Sequence, residues 1–192
     1  MKKKNIIICI VAAIALWCVV PYLGVRFSHT PDVREGDVIF HCSRSKQSPL
    51  IAIATGSPLT HCGIIVMRDG KPYVLEASST LRVTPLAEFI DRGRLGAYWL
   101  KRSDRLDADT RISYSHLLGR SYDLAFSFDN DKYYCSELVY DIYKRQLGIE
   151  LCEPRPINSY FTLGMKKKML ERGMDPDGLA VAPVDLFRSS EL

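Results

Sequence analysis

His61-Cys62-Gly63-Ile64-Ile65-Val66-Met67-Arg68-Asp69-Gly70-Lys71-Pro72-Tyr73-Val74-Leu75-Glu76-Ala77 is a run of apolar residues, a two-residue turn and a second apolar run. Asp-Gly between two such runs is a strong hairpin signal, because both turn positions require positive φ and these two residue types tolerate it. With Asp69 and Gly70 as the tight turn, Arg68 faces Lys71, His61 falls opposite Ser78, and Glu76 falls opposite Gly63. His61 and Glu76 then share one face of the hairpin as diagonal neighbours, roughly 7–8 Å apart at the backbone. Gly63 leaves room for the carboxylate to lean across. Cys62 is directed to the other face, away from His61, and is expected to pack in the core.

Outward from the hairpin, Gly36 to Cys42 reads as the first strand and Gln47 to Thr55 as a short helix closed by Gly56. Leu81-Arg82-Val83 continues the sheet. Thr84 and Pro85 read as the cap and first residue of a helix stopping at Gly93. Ala97 to Arg102 is a further strand, and Asp107 to Leu118, closed by Gly119, reads as a helix. An aromatic loop from Tyr122 to Tyr134 leads into a helix that starts at Cys135, repeats its apolar residues at Leu138, Val139 and Ile142, and ends near Gly148. Asp131 reads as its cap, and Met165 to Arg172 as a basic surface helix.

A thiol at a helix start is placed to be a nucleophile. Unpaired N–H groups and the positive end of the helix dipole favour the thiolate of Cys135. His61, opening an apolar strand, is the candidate base, and Glu76 on the next strand the group that orients it. Attack on a carbonyl would leave a thioester, and the developing oxyanion needs two donors. The Cys135 N–H is one. Gln47, Tyr122 and Tyr134 are the candidates for the second, or for substrate contacts, with Gln47 preferred because its amide cannot ionise.

The chain of 192 residues has 47% hydrophobic and 25% charged residues, an ordinary globular balance. Its formal charge of +4 comes partly from Lys2 to Lys4 and Lys166 to Lys168, so no basic stripe interleaved with aromatics suggests nucleic-acid binding. Of the six cysteines, Cys9 and Cys18 lie in the apolar N-terminal run, and Cys42, Cys62, Cys135 and Cys152 show no disulfide or CxxC spacing. His41-Cys42 and His61-Cys62 are adjacent strand residues pointing to opposite faces, which argues against a metal site, and no cofactor is expected. The run from Ile6 to Val25, headed by lysines, is long enough to span a hydrocarbon core of about 30 Å. The expected organisation is a cytoplasmic basic end (1–5), a signal-anchor or transmembrane helix (6–25), a linker (26–35) and a catalytic domain (36–192). That domain would lie outside the cytoplasm, in the periplasm of a Gram-negative cell. A cleaved secretory signal is the alternative.

The order of parts, Gly36-Asp37, Gln47-Ser48, Thr60-His61-Cys62-Gly63, Tyr73 to Ala77, then Tyr134-Cys135-Ser136-Glu137, resembles the permuted papain-like proteins of the YiiX type, within the NlpC-like superfamily. In ordinary papain-like enzymes the cysteine precedes the histidine; here His61 comes first, the mark of the permuted branch. The resemblance covers roughly Glu35 to Leu151. It implies an α+β fold with an antiparallel sheet packed against the nucleophile helix. It also implies Cys135, His61 and Glu76 as catalytic triad, and hydrolysis of amide bonds or acyl transfer. A cell-wall peptide and a lipid-like amide are the substrates considered. An acyltransferase using the same triad and a non-catalytic module binding lipid or peptide are the rival readings.

Overall fold

The computed structural model describes residues 26–27, 31–128, 130–160, 170–171 and 173–192. The hairpin forms as read, from β3 (His61–Arg68) and β4 (Lys71–Ala77). Asp69 and Gly70 hold φ of 49° and 72°, and Arg68 pairs with Lys71 and Ile64 with Leu75. Four further strands, β1 (Arg26–Phe27), β2 (Val38–His41), β5 (Leu81–Pro85) and β6 (Ala97–Lys101), complete an antiparallel sheet in the order β1-β6-β2-β3-β4-β5. The helices are α1 (Ser48–Thr55), α2 (Leu86–Asp91), α3 (Cys135–Gln146) and α4 (Pro183–Phe187). A small ribbon of β7 (Arg155–Pro156) and β8 (Leu179–Ala180) stands apart from the sheet.

Strand alternation divides the core into two layers. Phe40, Cys62, Ile64, Val66, Leu75 and Ala77 join the cluster that contains Leu138, Val139 and Ile142 of α3. Fully burying each of these three helix side chains stabilises by roughly 1.5–3 kcal/mol. Ile39, Ile65 and Val74 face the opposite way, onto Leu86, Phe89 and Ile90 of α2. Covered on both faces, β2 is buried along its whole length, which explains why Val38, Ile39 and Phe40 follow one another without polar alternation. The α3 helix ends through Gly148, whose φ of 66° lets the chain reverse so that the Ile149 N–H reaches the Tyr143 carbonyl at 3.0 Å.

Several local expectations are corrected. The helix expected over Asp107 to Leu118 is absent, apart from a 3₁₀ turn at Ser115–Leu117. Its backbone is used elsewhere: the Ile112 N–H donates to Glu35 Oε1 at 3.1 Å and the Ser113 N–H to Gln146 Oε1 at 2.9 Å. Asp107 Oδ1 accepts from the Asp109 N–H and from Thr110 Oγ1, both at 3.0 Å, in a local turn that competes with a helix. Pro85, not Thr84, caps α2, and Tyr134, not Asp131, caps α3. Arg26–Phe27, read as linker, adds a strand at the sheet edge by pairing with Tyr98 and Ala97. The expected spanning segment Ile6 to Val25 lies outside the described residues, as does the basic helix at 165–172 except for Leu170 and Glu171. Among the described residues no helix is long and apolar enough to cross a membrane.

Candidate active site

Cys135 is the first residue of α3, preceded by Tyr134 in extended conformation. The helix start is clamped from two sides. Glu137 Oε2 accepts the Tyr134 N–H at 3.2 Å. The segment after β8 provides the other clamp, with Ser136 Oγ donating to the Val181 carbonyl at 2.9 Å and the Val181 N–H donating to Tyr134 Oη at 3.1 Å. The thiol therefore sits at a fixed helix end whose free N–H groups favour negative charge. Only 3% of Cys135 is exposed.

His61 and Glu76 share the α2 face as the register requires, and His61 Nε2 meets Glu76 Oε2 at 2.7 Å. Glu76 is fully buried, and its other oxygen collects Thr84 Oγ1 at 2.5 Å, Arg82 Nε at 3.2 Å and the Arg92 guanidinium. Burial alone would raise the Glu76 pKa. The hydrogen bonds from His61 and Thr84, together with the charges of His61 and Arg92, outweigh it and hold the carboxyl far below its usual range. A permanently ionised Glu76 then holds the imidazole by one nitrogen. Burial would lower the His61 pKa too, but hydrogen bonding to Cys135 and to Glu76 wins and raises it to about 9.

Cys62 packs in the core as expected, but it does not lie away from Cys135. It lies on the face opposite His61, as alternation demands, but that is the face on which α3 docks. It is close enough to Cys135 for its side chain and backbone to lower the Cys135 pKa. The Cys62 thiol is the largest influence on Cys135; burial opposes it, His61 adds to it, and the net effect holds the Cys135 thiol well below its ordinary range. Burial pushes the Cys62 thiol up, with Cys135 adding to the shift, so Cys62 stays protonated as the donor. His61 from one face and Cys62 from the other, both at the start of β3, thus act on the Cys135 thiol.

His41 is the β2 partner of His61 in the sheet register. Its ring stacks on Phe89 at 4.3 Å and 9°, and Phe89 also underlies His61 at 5.6 Å. Among the described residues, neither ring nitrogen of the buried His41 has a hydrogen-bond partner. Burial, then the charge of His61, pushes its pKa well down, so a neutral His41 leaves Glu76 to His61. From the sequence Thr84 reads only as a helix cap and His41 only as half of a His-Cys pair, and neither they nor Arg92 and Phe89 carry a signal that places them beside His61 and Glu76. Thr84 was recoverable only through the β4–β5 register, in which Arg82 faces Glu76 and Thr84 sits diagonal to it.

A cleft of about 570 Å³ opens over His61, and Gln47 and Tyr122 both line it. Gln47 occupies the position just ahead of α1. Tyr122 lies close enough to feel Cys135 and Cys62; burial first, then their charges, raises its pKa, which keeps its hydroxyl a donor. Tyr134 is not part of the cleft. Its hydroxyl is turned to Val181 and its ring packs with Phe126 at 5.0 Å, so its role is to hold the helix start.

Comparison with known proteins agrees with this arrangement. Residues 32–191 match the YaeF/YiiX family of permuted papain-like amidase enzymes. The uncharacterized protein YiiX of Escherichia coli strain K12 is 35% identical over 130 residues, which cover 65% of this chain and 64% of that protein. A crystal structure described as the metalloprotein yiiX of Escherichia coli O157:H7 superposes with a TM-score of 0.73 at 32% identity, over 82% of this chain and 93% of that one. With the histidine strand ahead of the cysteine helix and the family match running through nearly all of the described fold, the chain belongs to the permuted papain-like amidase family of the YaeF/YiiX type.

Proposed function

We propose that the chain is a cysteine amidase or peptidase, with Cys135 as nucleophile, His61 as acid and base, and Glu76 as the group that fixes the imidazole. The observation that carries the reading is the buried 2.7 Å bond between His61 Nε2 and Glu76 Oε2, on an imidazole close enough to Cys135 for each to shift the pKa of the other. The resting pair is thiolate and imidazolium, since His61 is raised and Cys135 lowered. The Cys135 thiolate attacks the amide carbon, and the carbonyl oxygen takes up the negative charge, stabilised by the Cys135 N–H and by Gln47 or Tyr122. Collapse of this intermediate breaks the C–N bond as His61 gives its proton to the leaving amine. The neutral imidazole then takes a proton from water, which cleaves the thioester and regenerates the thiolate.

The related crystal structure's description as a metalloprotein raises the question of an ion at this site. Among the described residues no three His, Cys, Asp or Glu side chains are grouped to hold one, and Glu76 already has donors on both oxygens. The donor set does not fit a metal site, and each step above rests on Cys135, His61 and Glu76.

The proposal extends to location. Lys2 to Lys4 and the apolar run Ile6 to Val25 support an anchored protein whose domain, 36–192, lies beyond the membrane, or an exported one whose signal is removed. A thiol-directed activity probe tests the site: labelling of Cys135 that is lost in folded His61→Ala supports it. Amide cleavage that continues without Cys135 refutes it.

A further inference from the structure

The cleft over His61 has a mixed lining, apolar over part of its wall and set with polar and charged groups. Ile51, Ala77 and Tyr122 supply its apolar surface, and the rest of the lining is hydroxyl, amide and charge. Three cations reach it, Arg44, Lys46 and Arg92. The Arg92 charge is used by Glu76. Arg44 and Lys46 are exposed and form no ion pair among the described residues. Asp91 is the one carboxylate among the lining residues and balances at most one of them.

These cations are carried on a wall tied to the fold. Ser43 bridges Gly93 in antiparallel fashion, and the Arg44 N–H donates to the Arg92 carbonyl at 3.3 Å. The Ser43 N–H also donates to Thr60 Oγ1 at 2.9 Å, next to His61. A second observation comes from Ser78, which follows β4 and lines the same cleft: its hydroxyl is buried without a hydrogen-bond partner among the described residues. A bound polar substrate would supply that hydroxyl with a partner.

We propose that the cleft takes a hydrophilic amide carrying a carboxylate close to the scissile bond. Arg44 and Lys46 receive the carboxylate, and the Ser78 hydroxyl donates to a polar atom of the substrate near His61. This deepens the amidase reading, on which it rests, by choosing a peptide-like acid over a lipid amide. The protonated His61 adds to the same positive field.

Three amides with one common chromogenic amine test the inference: one bearing a carboxylate, one its neutral carboxamide, and one a decanoyl chain. With the full chain, the carboxylate amide should exceed the carboxamide in kcat/KM by roughly tenfold at low salt, the scale of two partly exposed charge contacts. The decanoyl amide should be the poorest. In the folded double variant Arg44→Gln, Lys46→Gln the ratio of carboxylate to carboxamide should fall toward one, chiefly through KM, and salt should narrow the wild-type ratio. Equal kcat/KM for the two hydrophilic amides, preference for decanoyl, or a ratio that survives in the double variant would overturn the subsite. Calorimetric binding of the corresponding free ligands to Cys135→Ala separates this from the amidase reading. If no amide is turned over, the amidase reading fails, and tighter binding of the carboxylate ligand, lost in the double variant, still establishes the subsite. Equal binding of the carboxylate and carboxamide ligands refutes it.

Discussion

Cys62, the residue after His61, reaches the Cys135 sulfur from the opposite face of the strand and is the strongest single influence lowering the Cys135 pKa. The Cys62 side chain and backbone both favour the negative charge of Cys135, so that charge is held by more than His61. Replacing Cys62 with Ala removes the thiol and keeps the N–H. The midpoint of Cys135 alkylation against pH should move upward, with a tenfold loss of thiolate below the midpoint for each unit moved. An unchanged alkylation profile in a folded Cys62→Ala protein would show that this thiol does not tune the site.

Gly63→Ala tests the space that lets Glu76 approach His61. A Cβ there would stand 2.4 Å from Val74 Cγ1, 2.8 Å from the Leu75 carbonyl and 3.4 Å from Glu76 Cβ. Two of these three contacts are too close for real atoms, and one is with backbone. The expected outcome is a stability loss of about 1–3 kcal/mol by denaturant titration, with a larger fractional loss of turnover because the carboxylate is displaced.

The pH profile follows from the His61 shift. Its folded value is raised from 6.5 to about 9, so the charged imidazole contributes stability that is fully present below about pH 6.5 and is lost as pH rises through about 9. Activity that needs imidazolium to protonate the leaving amine should fall over the same alkaline limb. Glu76 has the opposite sign: its depressed pKa gives stability present above its ordinary value of 4.5 and lost only in strong acid. Turnover and thermal midpoint, measured from pH 5 to 10, should decline together near pH 9.

Glu76→Gln keeps the shape and removes the charge that His61, Thr84, Arg82 and Arg92 all address. The alkaline limb should move down from about 9 toward 6.5. Losing the charge from these hydrogen bonds should cost on the order of 1–3 kcal/mol, since the two arginines keep part of their exposure to water. A limb that stays at about 9 in this variant would remove Glu76 from the site.

Much of this site could be read in the chain because its register is set locally. Asp69-Gly70 fixes the β3–β4 pairing, and that pairing alone puts His61 and Glu76 on one face. The α3 stripe of Leu138, Val139 and Ile142 likewise marks the face that α3 buries. What remained hidden depends on packing across elements. Alternation put Cys62 opposite His61 but does not say on which face α3 docks. The Ser78 to Thr80 connection carries no turn pair that sets the β4–β5 register, so the bond from Thr84 to Glu76 was out of reach, and Arg92 arrives from the end of another helix. The segment from Asp107 to Leu118 has helical spacing, yet Glu35 and Gln146, distant in sequence, take its N–H groups.

Trapping of the acyl-enzyme tests the central claim most directly. The full chain is mixed with an amide substrate, quenched in acid within one turnover, digested and analysed by mass spectrometry. The account predicts a thioester adduct on Cys135, none on Cys62, and loss of both adduct and product in folded Cys135→Ala. An adduct on Cys62, or amide cleavage that persists in folded Cys135→Ala, would contradict it.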